Sequence, residues 1–463
     1  MLKRYFTEGD PAVLTRRRFI AAAMAGTAAL GASFMMLGRP FTTQTPTRST
    51  EEDAMQEGLE RGLTRVKGFD DAEMDFQLIR QLGSARYGGA SVGECLALAQ
   101  QIRSGDPASW VAAFAAAAAR TEADARQRAS RDHRVSARDQ LLVASNSYRA
   151  AEYYTSVADP QHVAHGLKSR ECFLEAMKLQ DHVFEVVSLP YGNTPLPAYY
   201  MRPEKASGRG KTLMIVSGYD GTLEETYLAY GKPALERGYN LLLFAGPGQM
   251  DTLRLHPGLT FIPEYERVGA LALDHLLARP ETDPARIALM GISFGGYFAT
   301  RMAAHDSRIR ALIPNSPIVN LHDYMASFVG FDPAEMPDAD DFRPQDVDQI
   351  PDEVAPPQVR EMSRNLMLRF GQESFKQTYR RLRDFRVDDA DLERITCPTL
   401  ALVGSGEGKE PKAQFDRFLK HVSGPSTSHV FDAVEGADGH CQSGNLAYSA
   451  AVSMDWLDER FRG

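Results

Sequence analysis

The chain has 463 residues, 43% of them hydrophobic and 24% charged, which is too long for one ordinary domain and typical of a folded core. Its formal net charge of −9 argues against the basic surface of a nucleic-acid binder. The 11 histidines are scattered without ligand spacing, and Cys95, Cys172, Cys397 and Cys441 stand far apart, so neither a metal site nor a disulfide framework is expected.

In chain order, Thr15 to Ile20 read "TRRRFI", followed by an Ala- and Gly-rich apolar run. Arg16 and Arg17 with Phe19 look like a twin-arginine export signal over 1–37, leading to the periplasm or beyond. Phe19 to Leu37 is also long enough to anchor in a membrane if it is not cleaved. Residues 38–68, with "TTQTPTRSTEED", read as a polar linker. From 69 to 182 apolar residues recur at three- and four-residue spacing, as in "PASWVAAFAAAAARTEADARQRASRD". That period predicts a helical cap domain.

The texture changes at 183. "FEVVSLPYG" and "PLPAYYMRP" read as two strands joined at Gly192-Asn193. Six further apolar runs follow, "TLMIVSG", "YNLLLFAG", "RIALMGIS", "IRALIPNSP", "TLALVGSG" and "SHVFDAVEG", with helical stretches between most of them. Alternation of this kind predicts an α/β domain over 183–463, a mostly parallel sheet covered by helices. About 318–392 breaks the rhythm and reads as a lid insertion.

Ser293 lies in Gly291-Ile292-Ser293-Phe294-Gly295, between a strand and a helix. Strand, Gly-x-Ser-x-Gly and helix together describe a nucleophile elbow, with the Phe294 N–H available to an oxyanion. The base should follow the last strand, where His440 stands in "EGADGHCQSGN"; His421 and His429 are its local competitors. The acid should follow the strand before that. Glu407 is nearest the strand end, with Glu410, Asp432 and Asp438 as alternatives. In "SGYDGTLEE" the Tyr219 N–H is the candidate second oxyanion donor. Thr222 to Glu225 read as a capping box. "AGPGQ" reads as a turn shaping the pocket wall. Tyr148, Tyr153 and Tyr154 in "NSYRAAEYY" are candidates for the substrate pocket.

The stretches "SGYDGTLEE", "GPGQ", "GISFGG", "VGSGEG" and "GHCQSGN" make 183–463 resemble the α/β-hydrolase superfamily. With its helical N-terminal region, the chain is similar to the 2,6-dihydroxypseudooxynicotine hydrolase-like group, which includes fungal polyketide-shortening hydrolases and esterases. That resemblance implies a serine hydrolase with a helical cap. Some members of the group cleave a carbon–carbon bond beside a ketone and others cleave esters. The chain departs from the pattern in its leader and in carrying Glu where many α/β-hydrolases have Asp.

The expectation is therefore a cofactor-free, metal-free serine hydrolase with a Ser293–Glu407–His440 triad acting on a small carbonyl substrate. Any oligomer would be a homodimer, and membrane contact would come only through the N-terminus. An exopeptidase of prolyl-oligopeptidase type and a non-catalytic binding protein on the same scaffold are the alternatives.

Overall fold

The computed structural model describes residues 64–352 and 355–462. The leader read at 1–37 and the linker up to residue 63 lie outside the described residues. Within the last part of the expected linker the chain is already docked. Thr64 donates to Asp438 Oδ1 at 2.5 Å. The Asp75 carboxylate accepts the N–H groups of Val66, Lys67, Gly68 and Phe69 at 2.8–3.3 Å.

Among the described residues, five α-helices precede the sheet: Ala72–Gly83, Val92–Ala99, Pro107–Ala129, Arg134–Tyr154 and Pro160–Met177. Their starts follow capping chemistry. Asp71 accepts from Met74 N–H, and Asp106 and Asp159 each cap a helix that opens with proline. Met74, Leu78, Trp110 and Phe114 bury a small core of their own. Cys172, Phe173 and Tyr148 join the core under the sheet instead.

Eight strands form one sheet: β1 (Val183–Tyr191), β2 (Thr194–Arg202), β3 (Gly210–Val216), β4 (Asn240–Phe244), β5 (Thr282–Ile292), β6 (Ala311–Asn315), β7 (Thr399–Gly404) and β8 (Ser426–Phe431). Their spatial order is β1-β2-β4-β3-β5-β6-β7-β8. β2 pairs antiparallel with β1 and β4, and all other pairings are parallel. The central strands are apolar toward their carboxyl ends, where both faces are covered. On β3, Met214 and Val216 enter one core while Leu213 and Ile215 enter the other.

β3 leads to β4 on one side and β5 leads to β6 on the other, so the chain switches direction between β3 and β5. Ligands bind at such a switch, outside the carboxyl ends of the strands. The loop after β3 and the turn after β5 meet there. The segment between β6 and β7 holds helices Leu321–Ser327, Pro357–Arg369 and Phe375–Leu382. Far from lying loosely on the surface, it contributes Phe342, Leu366, Phe375 and Tyr379 to the hydrophobic core.

A buried ion network ties the helical region to the sheet. Arg254 donates to Glu152 through Nε at 2.7 Å and to Glu224 at 3.2 Å, and Asp251 lies 3.4 Å away. Tyr199 donates to Glu224 at 2.7 Å. Burial, then the Glu224 charge, pushes the Asp251 carboxyl well above the usual range. Replacing one partner strands the others in a dry interior. Arg254→Met is expected to lower the unfolding free energy by about 3–5 kcal/mol in urea titration. A change below about 1 kcal/mol would rule out this role.

Candidate active site

Ser293 joins β5 to helix Phe294–His305 with φ 59° and ψ −126°, a strained conformation for a residue with a side chain. The turn is this tight because its neighbours lack a Cβ. A Cβ on Gly291 would strike the Gly295 carbonyl and lie 2.6 Å from Ala299 Cβ. One on Gly295 would strike the Val216 carbonyl, and one on Gly218 would lie 2.6 Å from Ser293 Cβ and 2.8 Å from the Phe294 nitrogen. The Ser293 N–H donates to the Asn315 carbonyl at the end of β6, at 2.6 Å.

His440 follows β8 and places Nε2 2.9 Å from Ser293 Oγ. Its Nδ1 lies 2.7 Å from Glu407 Oε2. Glu407 is buried and held from two further sides. The Gly404 N–H donates to Oε1 at 2.8 Å, and the Ser316 hydroxyl reaches both oxygens at 3.0–3.1 Å. Of the four carboxylates left open by the sequence, this is the one brought to the imidazole. Glu410 accepts from Gln414 at 2.7 Å, Asp432 caps a turn through the Ala433 N–H, and Asp438 accepts from Thr64. Ser316, in "PNSP" after β6, was not legible as a partner, since a lone serine carries no spacing signal.

The cavity before Ser293 is lined by His440, Gly218 and Asp220, and by Phe76 and Arg80 from helix Ala72–Gly83. Arg80 donates to Asp220 and to both Glu225 oxygens at 2.6 Å each. The expected capping box is therefore only half formed. Thr222 Oγ1 accepts the Glu225 N–H at 3.2 Å, but the Glu225 carboxylate turns to Arg80. A full charge attracts it more strongly than the N-cap N–H does.

The three tyrosines expected at this cavity do not line it. Tyr148 donates to Glu122 at 2.7 Å inside the helical region. Tyr153 donates to Glu73 at 2.8 Å, and Tyr154 packs edge-on against Trp110 with ring centroids 5.3 Å apart. Tyr153 and Tyr154 line a different cavity, against helix Pro357–Arg369. Helix Ala72–Gly83 occupies the place assigned to them, because its apolar and charged faces both find partners there. The Tyr219 ring also turns away, its hydroxyl donating to Asn365 at 2.7 Å. Among the described residues, the N–H groups of Tyr219 and Phe294 donate to no protein acceptor. No three His, Cys, Asp or Glu side chains are grouped to hold a metal among the described residues.

Burial pulls the His440 imidazole down, while Cys441 and Glu407 beside it push it up, leaving it above its ordinary 6.5. Glu407 pushes both through its charge and through its hydrogen bond to Nδ1. The chemistry open to this arrangement is proton transfer from a serine hydroxyl to a carboxylate-oriented imidazole, next to a pair of N–H donors.

A model of the prolyl oligopeptidase family matches residues 270–369. The chain is 32% identical over 421 residues to alpha/beta hydrolase xenA of Xenoacremonium sinensis, across 84% of this chain and 96% of the relative. It is 30% identical over 419 residues to hydrolase ORFZ of Pyricularia oryzae, again across 84% and 96%. The crystal structure of the 2,6-dihydroxy-pseudo-oxynicotine hydrolase superposes with a TM-score of 0.65 at 19% identity, over 82% of this chain and 96% of that one.

The His440 shift has a direct test. In an NMR titration its ring is expected to titrate above 6.5, and in Glu407→Gln to fall by about 1 unit or more as the charge is lost. An unchanged value in the variant would remove Glu407 as the cause.

Proposed function

The chain belongs to the α/β-hydrolase family and is a hydrolase, and from that premise we propose that it is a serine hydrolase attacking a carbonyl carbon. The reading is carried by one observation, the hydrogen-bonded line from Ser293 Oγ through His440 to Glu407. Ser293 gives its proton to His440 Nε2 as Oγ attacks. Glu407 holds Nδ1–H, so that Nε2 faces the serine, and balances the imidazolium that forms. The Phe294 and Tyr219 N–H groups take the developing oxyanion. His440 then returns the proton to the leaving group, and water releases the acyl-enzyme by the same steps reversed.

The bond cleaved is an ester or a carbon–carbon bond next to a ketone. A carbon leaving group has to depart as a stabilised enolate or arene carbanion, so only a ketone-activated substrate provides one. The match to the prolyl oligopeptidase model supports a second reading, an aminoacyl amide substrate. Against it, the described region before β1 is helical, where that exopeptidase type normally carries a β-propeller.

A panel of nitrophenyl esters, aryl diketones and aminoacyl amides separates these classes. On the best of them, Ser293→Ala is expected to fold normally and lose at least about 10³-fold in turnover. Glu407→Gln should lose roughly 10²–10⁴-fold, and Glu410→Gln little. Wild-type turnover in Ser293→Ala, or no labelling of the wild type by a fluorophosphonate, would end the serine mechanism.

We further propose export of the folded chain by the twin-arginine route, supported by Arg16 and Arg17 ahead of a weakly apolar run. No helix among the described residues is long and apolar enough to cross a membrane. Changing both arginines to lysine should keep the enzyme on the cytoplasmic side in cell fractionation. Undiminished periplasmic activity would reject the route.

A further inference from the structure

Three consecutive carbonyls of the loop after β3 are held by two side chains. Gln249, in "AGPGQ", donates through Nε2 to the Ser217 carbonyl at 2.8 Å and to the Gly218 carbonyl at 3.3 Å. Its Oε1 accepts the Gly246 N–H at 2.7 Å and the Tyr265 hydroxyl at 3.1 Å. The backbone N–H at Gly246 requires an oxygen opposite it, so the amide can face only one way. Gln249 is buried, and the Tyr265 hydroxyl shares its proton between Oε1 and the nearer Pro247 carbonyl, 2.8 Å away.

Arg369 holds the next carbonyl. One of its terminal nitrogens donates to the Tyr219 carbonyl, and together with Nε it also binds the Gly248 carbonyl at 2.6 and 2.9 Å. The guanidinium lies 3.8 Å from the Tyr219 ring centroid. Among the described residues no carboxylate lies within ion-pair distance of Arg369, although the residue is buried. A buried cation without a contacting counter-ion is costly, and here carbonyl oxygens, the Met250 sulfur, an aromatic face and the more distant Asp220 charge offset that cost.

In a planar trans peptide the C=O and the following N–H point opposite ways. The N–H paired with the Gly218 carbonyl is that of Tyr219. Drawing the Gly218 carbonyl toward Gln249 therefore turns the Tyr219 N–H the other way. The loop lies directly against the elbow, since a Cβ on Gly218 would be 2.8 Å from the Phe294 nitrogen. Pinning the Tyr219 carbonyl to Arg369 stops the loop from rolling about this peptide. Donor strength rises as well, because a hydrogen bond accepted by the carbonyl polarises its peptide.

We propose that Gln249 and Arg369 are positioning residues that aim the Tyr219 N–H at the oxygen that gains charge beside Ser293. The proposal rests on the serine hydrolase reading and adds to it the device that builds the oxyanion site. Neither residue touches substrate, so each acts through the loop.

The test compares wild type, Gln249→Glu, Arg369→Met and Arg369→Lys on one nitrophenyl ester, per fluorophosphonate-titrated site and below each melting temperature. Phenylboronic acid, which becomes a tetrahedral anion on the serine, serves as the transition-state probe. Gln249→Glu keeps the shape and the accepting oxygen but loses the donor. For it and for Arg369→Met, kcat and boronate affinity should fall together by about 10- to 100-fold, with KM within about twofold. Arg369→Lys keeps the charge without the fork and should fall in between. Folded variants with unchanged kcat and boronate affinity, or with a loss in KM alone, would overturn the proposal while leaving the serine mechanism standing. If the Arg369 variants do not fold, Gln249→Glu decides alone. A wild type that neither labels nor turns over would overturn the hydrolase reading and this proposal with it.

Discussion

The close approach of backbones at the elbow is the constraint from which the rest of the site follows. Ser293 holds a positive φ only because β3, β5 and β6 come together around it through positions without side chains. Gly218 admits the loop after β3, Gly291 and Gly295 admit the helix to the strand, and the Asn315 carbonyl takes the Ser293 N–H. Strain of this kind costs of order 1–3 kcal/mol and persists only where the surroundings over-determine it. The two filled cores on either side of the sheet do so here.

The same junction organises His440 and Glu407. Asn315, whose carbonyl holds the elbow, donates from its side chain to Gln442 at 2.8 Å, two residues past His440. Ser316 follows and holds Glu407. One dipeptide at the end of β6 thus touches the backbone of Ser293, the loop of His440 and the carboxylate of Glu407. A change of strand register here would displace all three at once.

The loop after β3 is gripped by two parts of the chain far apart in sequence. Arg80 binds Asp220 and Glu225 from the helical region, and Arg369 binds the Tyr219 carbonyl from the segment between β6 and β7. Arg369 is buried and the Arg80 cluster is partly buried, and such charges contribute little net stability. The helical region and the insertion therefore do more than roof the cavity, since each holds the loop that carries a candidate oxyanion donor.

Much of this was legible in the sequence. The eight apolar runs, the helices between them and the elbow at Ser293 follow from local periodicity and turn chemistry, which depend on neighbours a few residues apart. His440 and Glu407 were reachable through chain order, because loops at the carboxyl edge of a parallel sheet converge. The order could not separate Glu407 from Glu410, three residues away. Only the Gly404 N–H and the Ser316 hydroxyl, brought in from other strands, settle which carboxylate meets the ring. The tyrosines near 150 have the composition of a pocket wall, yet their direction depended on which helix packed against the sheet. That choice fell to Phe76 and Arg80, whose partners at 220 and 225 lie some 140 residues downstream. Local sequence thus determined the elements and the strained turn, whereas the tertiary structure decided which side chains face it, because burying charge requires specific partners that spacing along the chain does not encode.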